Sequence, residues 1–130
     1  MKFNNLIPEL TVFEINKTKD FYINMLGFEL EYERVEENFI FLSFEGSQFM
    51  FEQIHEEGWN IGELEYPLGR GINFSIEVKD INQLYEKIKS QNITLYRELI
   101  ANNYQTENKT IEQKEFLIQD PNGYLLRFTN

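Results

Sequence analysis

The sequence predicts an α+β fold made of two tandem βαβββ modules. Two observations carry this prediction. Strand-type alternation and helix-type spacing of apolar residues occur twice in the same order, and the joints between the elements align. The aligned joints are Val12-Phe13-Glu14-Ile15-Asn16 with Val78-Lys79-Asp80-Ile81-Asn82, and Leu26-Gly27-Phe28 with Gln91-Asn92-Ile93. An internal repeat of this size decides the fold before any single element does.

The repeat divides the chain of 130 residues into three parts. The first module spans residues 1–53, a connecting segment spans 54–69, and the second module spans 70–130. A chain of this length is expected to form a single domain. The connecting segment is too irregular for a helix or a strand, and a connection this long is usually functional or a linker.

The first module is expected to open with a strand over residues 6–13. Asn16 is predicted to cap the helix that follows, and Gly27 to end it, because Asn favours the first cap and Gly the last. The remaining strands are predicted at residues 28–33, 39–44 and 48–53, with a turn at 36–38.

The second module repeats this order, beginning with a strand over residues 71–78. Asp80 is predicted to cap a helix whose apolar residues recur at i, i+3, i+4 and i+7. Further strands are predicted near residues 94–98, 110–119 and 124–129, and Asp120-Pro121-Asn122-Gly123 is a strong turn sequence between the last two.

The composition restricts the partners and the compartment. Asp and Glu number 22 against 12 Lys and Arg, so the net charge is −10, and the acids are spread along the chain. Such a surface repels nucleic acid and anionic membranes, and it leaves a cationic or neutral small molecule as the expected partner. The chain has no Cys, which excludes disulfides and thiolate sites and favours a reducing, cytoplasmic location.

Two motifs inside the repeat carry a family resemblance. Residues 20–28, DFYINMLGF, resemble the first-helix motif of the glyoxalase/bleomycin resistance/dioxygenase superfamily, also called the vicinal oxygen chelate superfamily. Residues 114–124, KEFLIQDPNGY, resemble the closing motif of its bleomycin resistance branch. The resemblance implies that the two mixed sheets curl to form a cavity, and that the protein is a homodimer.

The resemblance also implies four positions at which the superfamily's enzymes bind a divalent metal. They correspond here to Ile7, Glu52, Asn73 and Arg127. Ile has no donor atom and Arg is a permanent cation, so Glu52 is the one good ligand, whereas a catalytic site needs about three. We therefore expect no metal cofactor, and we assign no catalytic residue.

Two alternatives stay open. An oxygen-only Mn²⁺ or Mg²⁺ site formed by Glu9, Glu52 and Glu77 would make the chain a glyoxalase-like lyase or a dioxygenase-like enzyme. A structural or regulatory dimer with a vestigial cavity is the other. The sequence has neither a G-x-S-x-G nucleophile elbow nor a glycine-rich phosphate loop, and its single His excludes a site with two imidazoles from one chain.

The favoured function is binding and sequestering of an antibiotic-like small molecule, as the resemblance implies. A planar, cationic ligand needs aromatic faces and carboxylates. The candidate ligand-binding residues are Tyr32, Glu36, Phe39, Phe41, Glu52, Trp59, Asn73, Ser75, Tyr104, Glu112 and Arg127. Phe39 and Phe41 also have the spacing of ordinary core residues, and Arg127 is expected to pair with Glu52. Ser75 and Glu112 stand near positions where bleomycin-binding relatives carry tryptophans, so whether bleomycin itself binds stays open.

Overall fold

A computed structural model describes residues 2–130 and divides the chain into two compact units. Unit 1 extends to Tyr66, and unit 2 spans Pro67–Asn130. Each unit contains one four-stranded mixed sheet, which confirms the predicted α+β fold. Within the described residues, no helix has both the length and the apolar character needed to cross a membrane.

Unit 1 forms a sheet with the strand order β1-β4-β3-β2. Its elements are β1 (Glu9–Val12), α1 (Ile15–Lys19), a π-helical continuation (Asp20–Leu26), β2 (Glu29–Arg34), a 3₁₀ turn (Val35–Glu37), β3 (Phe39–Phe44) and β4 (Ser47–Gln53). Strand β1 runs parallel to β4, and the other neighbours are antiparallel. β1 is shorter than the predicted strand, because only its four residues pair with β4.

The start of the first helix differs from the prediction. Asn16 lies inside α1, and Glu14 holds the cap position without a side-chain hydrogen bond. The amide of Ile15 donates instead to the Gln53 side chain at 2.9 Å, so a residue of β4 takes over the role expected of Asn16. Gly27 ends the helix in the left-handed conformation, with φ of 94°, as predicted.

The two faces of the unit 1 sheet have different surroundings. On one face Phe51 lies against Tyr22 of the π-helical segment, with ring centroids 4.6 Å apart, and Phe28 stacks on Phe44 at 4.6 Å. Leu26 and Ile40 are also buried. This apolar layer holds the helix on the sheet and leaves the opposite face to build a site.

Unit 2 forms a sheet with the order β5-β8-β7-β6. Its elements are β5 (Asn73–Glu77), α2 (Ile81–Lys89), β6 (Leu95–Gln105), β7 (Thr110–Gln119) and β8 (Leu125–Thr129). Asp80 caps α2 as predicted, accepting a hydrogen bond from the Gln83 amide at 3.0 Å. Strand β6 is much longer than the predicted 94–98, because its polar end pairs with β7 as far as Gln105 opposite Thr110.

A buried aspartate holds the turn before β8. Asp120 is 2% exposed, and its carboxylate accepts hydrogen bonds from the amides of Asn122, at 2.8 Å, and Tyr124, at 2.9 Å. Gly123 has φ of 105°, and a Cβ there would lie 2.5 Å from Cα of Pro67. Only glycine satisfies both the conformation and the close approach.

We therefore predict that Gly123→Ala destabilises the chain more than Gly46→Ala. Both glycines have positive φ, but a Cβ at Gly46 meets no atom within 4 Å. Gly46→Ala should cost about 1–2 kcal/mol of backbone strain, and Gly123→Ala about 2 kcal/mol more through overpacking. Urea denaturation of the two variants measures the difference, and equal losses of unfolding free energy would contradict the packing argument.

Candidate functional site

Unit 1 contains a cavity of about 460 Å³, a size that suits a small organic ligand. Its lining residues come from all four strands of the sheet, from the turn after β2 and from the segment after β4. They are Glu9, Arg34, Glu36, Glu37, Phe39, Glu52, His55, Glu57 and Trp59. Four of the candidates predicted from the sequence are among them: Glu36, Phe39, Glu52 and Trp59.

Strand register brings the central residues together. Arg34 pairs with Phe39 across β2 and β3, and Phe39 pairs with Glu52 across β3 and β4. Directly paired residues point to the same face of a sheet, so these three side chains form one row. Glu52 in turn pairs with Thr11 of β1, and Glu9 lies two residues before Thr11 on the same face.

Aromatic side chains lie beside this row on the same face of the sheet. Phe39 is 3% exposed and lines the cavity, whereas Phe41 is fully buried. Tyr32 stacks on Phe41 with ring centroids 5.3 Å apart and an interplanar angle of 5°, and it lies 5.9 Å from Phe39. Phe41 also meets Phe3 edge to face at 5.4 Å. Phe39 therefore forms part of the cavity wall, although almost none of its surface is exposed, and the Tyr32 ring lies beside it.

Arg34 lies over this aromatic layer. Its guanidinium carbon is 4.7 Å from the centre of the Phe39 ring and 5.8 Å from that of Tyr32. One guanidinium nitrogen lies 3.4 Å from the Glu37 carboxylate. Arg34 is not among the residues predicted from the sequence, although its i+2 spacing from Tyr32 on β2 places both residues on one face.

Glu52 and His55 form a close pair at the end of β4. Nε2 of His55 lies 2.5 Å from Oε1 of Glu52, and the Glu57 amide donates to Nδ1 of His55 at 3.2 Å. Because Nδ1 accepts, the neutral ring carries its hydrogen on Nε2 and donates it to Glu52. This pair holds the start of the segment that carries Trp59, whose side chain is almost entirely exposed at the cavity.

The surroundings of Glu9 raise the proton affinity of its carboxyl. The residue as a whole is exposed, yet partial burial raises the pKa of its carboxyl above the ordinary value. The Glu52 carboxylate raises that pKa further, and the Arg34 guanidinium opposes both effects. The cavity thus holds negative charges that repel each other and would gain from a positive ligand.

The charge of the chain is divided unequally between the units. Unit 1 has fourteen acidic and four basic residues, and so carries the whole net charge of −10. Unit 2 has eight of each and is neutral. The acids are spread along both units, as expected from the sequence, but the Lys and Arg residues that balance them lie mostly in unit 2.

The other candidates lie in unit 2. Ser75 pairs with Arg127 across β5 and β8, so the two side chains share one face of the sheet, and Asn73 lies on that face two residues before Ser75. Arg127 also pairs with Leu117 of β7. Alternation along β7 puts Ile111 on the same face, and Tyr104 pairs with Ile111. Glu112 lies on the opposite face of β7 and approaches Lys114 at 3.9 Å. The register therefore does not group Glu112 with the other four.

Arg127 was expected to pair with Glu52, but the two residues lie in different units and each has a partner within its own unit. The guanidinium of Arg127 approaches the Glu115 carboxylate at 3.6 Å, and Glu52 is engaged by His55. Arg127 pairs with Leu117 across β7 and β8, and Glu115 lies two residues before Leu117 on the same face of β7.

The donors at the four positions of the implied metal site do not fit a divalent ion. Ile7 offers no ligand atom, Arg127 is a cation in an ion pair, and Glu52 already accepts from His55. Over residues 2–130, no group of three or more His, Asp or Glu side chains is arranged to hold a metal. Glu9 and Glu52 line one cavity in unit 1, whereas Glu77 belongs to unit 2.

Comparison with known proteins gives a consistent result. Residues 5–128 match the sequence model of the Glyoxalase/Bleomycin resistance protein/Dioxygenase superfamily. The chain is 27% identical over 130 residues to bleomycin resistance proteins of Geobacillus stearothermophilus and Staphylococcus aureus, covering 94% of this chain and 92% of each relative.

Two solved structures are also similar. A glyoxalase/bleomycin resistance protein/dioxygenase from Alicyclobacillus acidocaldarius is 25% identical, with a TM-score of 0.67, over 99% of this chain and 93% of that one. TioX from Micromonospora sp. ML1 has a TM-score of 0.75 at 15% identity over 98% of both chains, a likeness of fold alone.

We predict that Glu9→Gln stabilises the chain at neutral pH. A carboxyl whose pKa is higher in the folded state makes stability fall as pH rises from the unfolded pKa through the folded one, so its ionised form costs stability at pH 7. The melting temperature at pH 7 should rise by a few degrees at most.

Glu29→Gln is the matched control, because it removes one negative charge from β2 outside the cavity lining. Thermal melts between pH 3 and pH 8 should show the advantage of Glu9→Gln over Glu29→Gln only above the ordinary carboxyl range. An equal shift for both variants at every pH would show that general charge relief, not the cavity, is responsible.

Proposed function

The chain belongs to the Glyoxalase/Bleomycin resistance protein/Dioxygenase superfamily, and from that premise we propose that it binds and sequesters a small organic molecule without a metal, as a homodimer. The single observation that carries this is the composition of the unit 1 cavity, where an aromatic face lies among five carboxylates. The function is bleomycin-resistance-like, and the relatives at 27% identity support it.

The proposed ligand is planar and cationic. Five lining carboxylates face one guanidinium and the imidazole of His55, so a positive group would gain from binding there. Phe39 supplies a face for stacking or for a cation, and Trp59 supplies a second ring at the opening. Binding would bury the exposed indole of Trp59 and relieve the repulsion between Glu9 and Glu52.

The hydrogen bonds of His55 support binding without catalysis. Both ring nitrogens of His55 are engaged, one by Glu52 and one by the Glu57 amide. A general base needs a free lone pair directed at the proton it removes. In this proposal His55 is therefore not a general base but a structural partner of Glu52 that shapes the cavity.

We predict that ligand binding is visible through Trp59, the only Trp of the chain. Metal-free bleomycin and benzamidine should shift or quench the indole emission and raise the melting temperature, whereas neutral benzamide should do neither. Glu36→Gln and Glu52→Gln should each weaken binding about fivefold, because a charge-assisted contact is lost. Glu65→Gln removes the same charge outside the lining and should leave affinity unchanged.

If no cation changes the emission or the melting temperature, the proposal is wrong, and benzamide binding as tightly as benzamidine would refute its cationic part. The same measurement with Mn²⁺ and with EDTA examines the alternative, a metal-dependent lyase or dioxygenase with oxygen ligands. A large stabilisation by Mn²⁺ that is abolished in Glu52→Ala would favour the enzyme.

The dimer is proposed from the superfamily and from the edges of the sheets. Strand β6 is an edge strand of eleven residues, and it exposes Tyr96, Ile100 and Tyr104. The unpaired backbone groups of an exposed edge strand can pair with another chain, and these three apolar side chains would gain from being covered. Light scattering should give twice the chain mass of 15.7 kDa, and a monomer at micromolar concentration would contradict the proposal.

The remaining partners and the location stay predictions from composition. The acidic surface of unit 1 disfavours nucleic acid and membrane lipids. The absence of Cys agrees with a reducing, cytoplasmic compartment.

A further inference from the structure

We infer that Arg34 is a resident cation: its guanidinium occupies a subsite for flat cations in the unit 1 cavity, and a ligand binds by placing its own guanidinium or amidinium group there. The inference rests on the proposed function of the same cavity, and it names the ligand's chemistry and the residue that sets specificity.

The contacts of Arg34 define the subsite. The guanidinium lies over the Phe39 ring at 4.7 Å and near the Tyr32 ring at 5.8 Å. At its edge, a nitrogen reaches the Glu37 carboxylate at 3.4 Å. A guanidinium group binds with its flat face on an aromatic ring and its edge nitrogens on a carboxylate. Arg34 makes both contacts here, so its own guanidinium shows which kind of group the subsite accommodates.

The subsite does not hold Arg34 tightly. Its side chain is 54% exposed and that of Glu37 is 60% exposed, and an exposed ion pair contributes little to stability. The aromatic part is firmer, because Phe39 is 3% exposed and the paired ring of Tyr32 stacks on buried Phe41. The ring of Phe39 is therefore held by packing that does not depend on Arg34, and the long Arg34 side chain can turn out to solvent.

Arg34 also sets the electrostatic balance of the cavity. It is the one Lys or Arg among the lining residues that the structure describes. A cationic ligand must therefore overcome repulsion from Arg34 as well as displace it. A neutral ligand gains nothing from the carboxylates that the displacement exposes. Arg34 thus lowers the affinity of every ligand that enters this subsite, and a flat cation is the group that regains the contacts with Phe39 and Glu37.

The test uses methylguanidinium as the probe and Arg34→Gln as the variant. Removing the resident guanidinium vacates the subsite and takes away a like charge, so Arg34→Gln should bind methylguanidinium about tenfold more tightly than the unmodified chain. Trp59 emission and the melting temperature report binding at millimolar concentrations. Methylurea has the same shape without the charge and should bind neither protein.

Lys17→Gln is the matched control. It removes one positive charge from unit 1 at an exposed ion pair with Glu14, outside the cavity lining. An equal gain in affinity for Lys17→Gln and Arg34→Gln would overturn the inference, because net charge alone would then explain it. Arg34→Lys keeps the charge without the plane, and it should show less than half of the tenfold gain.

The outcomes separate this inference from the proposed function. If the unmodified chain binds benzamidine through Trp59 but Arg34→Gln gains no affinity for methylguanidinium, the subsite is wrong and the proposed function stands. If Arg34→Gln gains affinity while bleomycin and benzamidine fail to bind the unmodified chain, the subsite exists and the proposed function is wrong. A tenfold gain limited to Arg34→Gln supports the inference.

Discussion

The pairing of β2, β3 and β4 is the constraint on which the site depends. It places Arg34, Phe39 and Glu52 in one row across three strands. A shift of one residue would send the whole row to the face that the helix covers. The Glu45-Gly46 turn, with both residues at positive φ, fixes the register of β3 with β4, and the contact between Phe51 and Tyr22 holds β4 against the helical segment.

The same register divides the aromatic residues by role. Phe39 borders the cavity, whereas Phe41 is fully buried, stacks with Tyr32 and does not line the cavity. The rings packed beside Phe39 make this wall of the cavity rigid, because closely packed aromatic side chains have few alternative conformations. The polar groups differ in how firmly they are held: His55 contacts Glu52 closely, whereas Arg34 and Glu37 form an exposed pair.

Local signals made the fold predictable. Alternation, helix spacing and the turn at 120–123 each lie within a few residues, so the repeat and the cap at Asp80 could be read directly. Features that depend on distant partners could not. Gln53 satisfies the start of α1 from 38 positions away, and the polar half of β6 becomes a strand only through β7.

The site follows the same rule. Trp59, Glu36, Phe39 and Glu52 were identified from residue type and resemblance. Arg34, His55 and Glu57 were not selected, because their role comes from cross-strand pairing and from the path of the chain after β4. Arg127 was expected to pair with Glu52, but its ion-pair partner within unit 2 is Glu115, a residue brought near it only by the pairing of β7 with β8.

The confinement of all the net charge to unit 1 has a kinetic consequence. If the chain captures a cationic molecule as proposed, a field of one sign around the cavity opening increases productive encounters. Physiological salt shortens that field to about 8 Å. The rate of capture should then fall as the salt concentration rises.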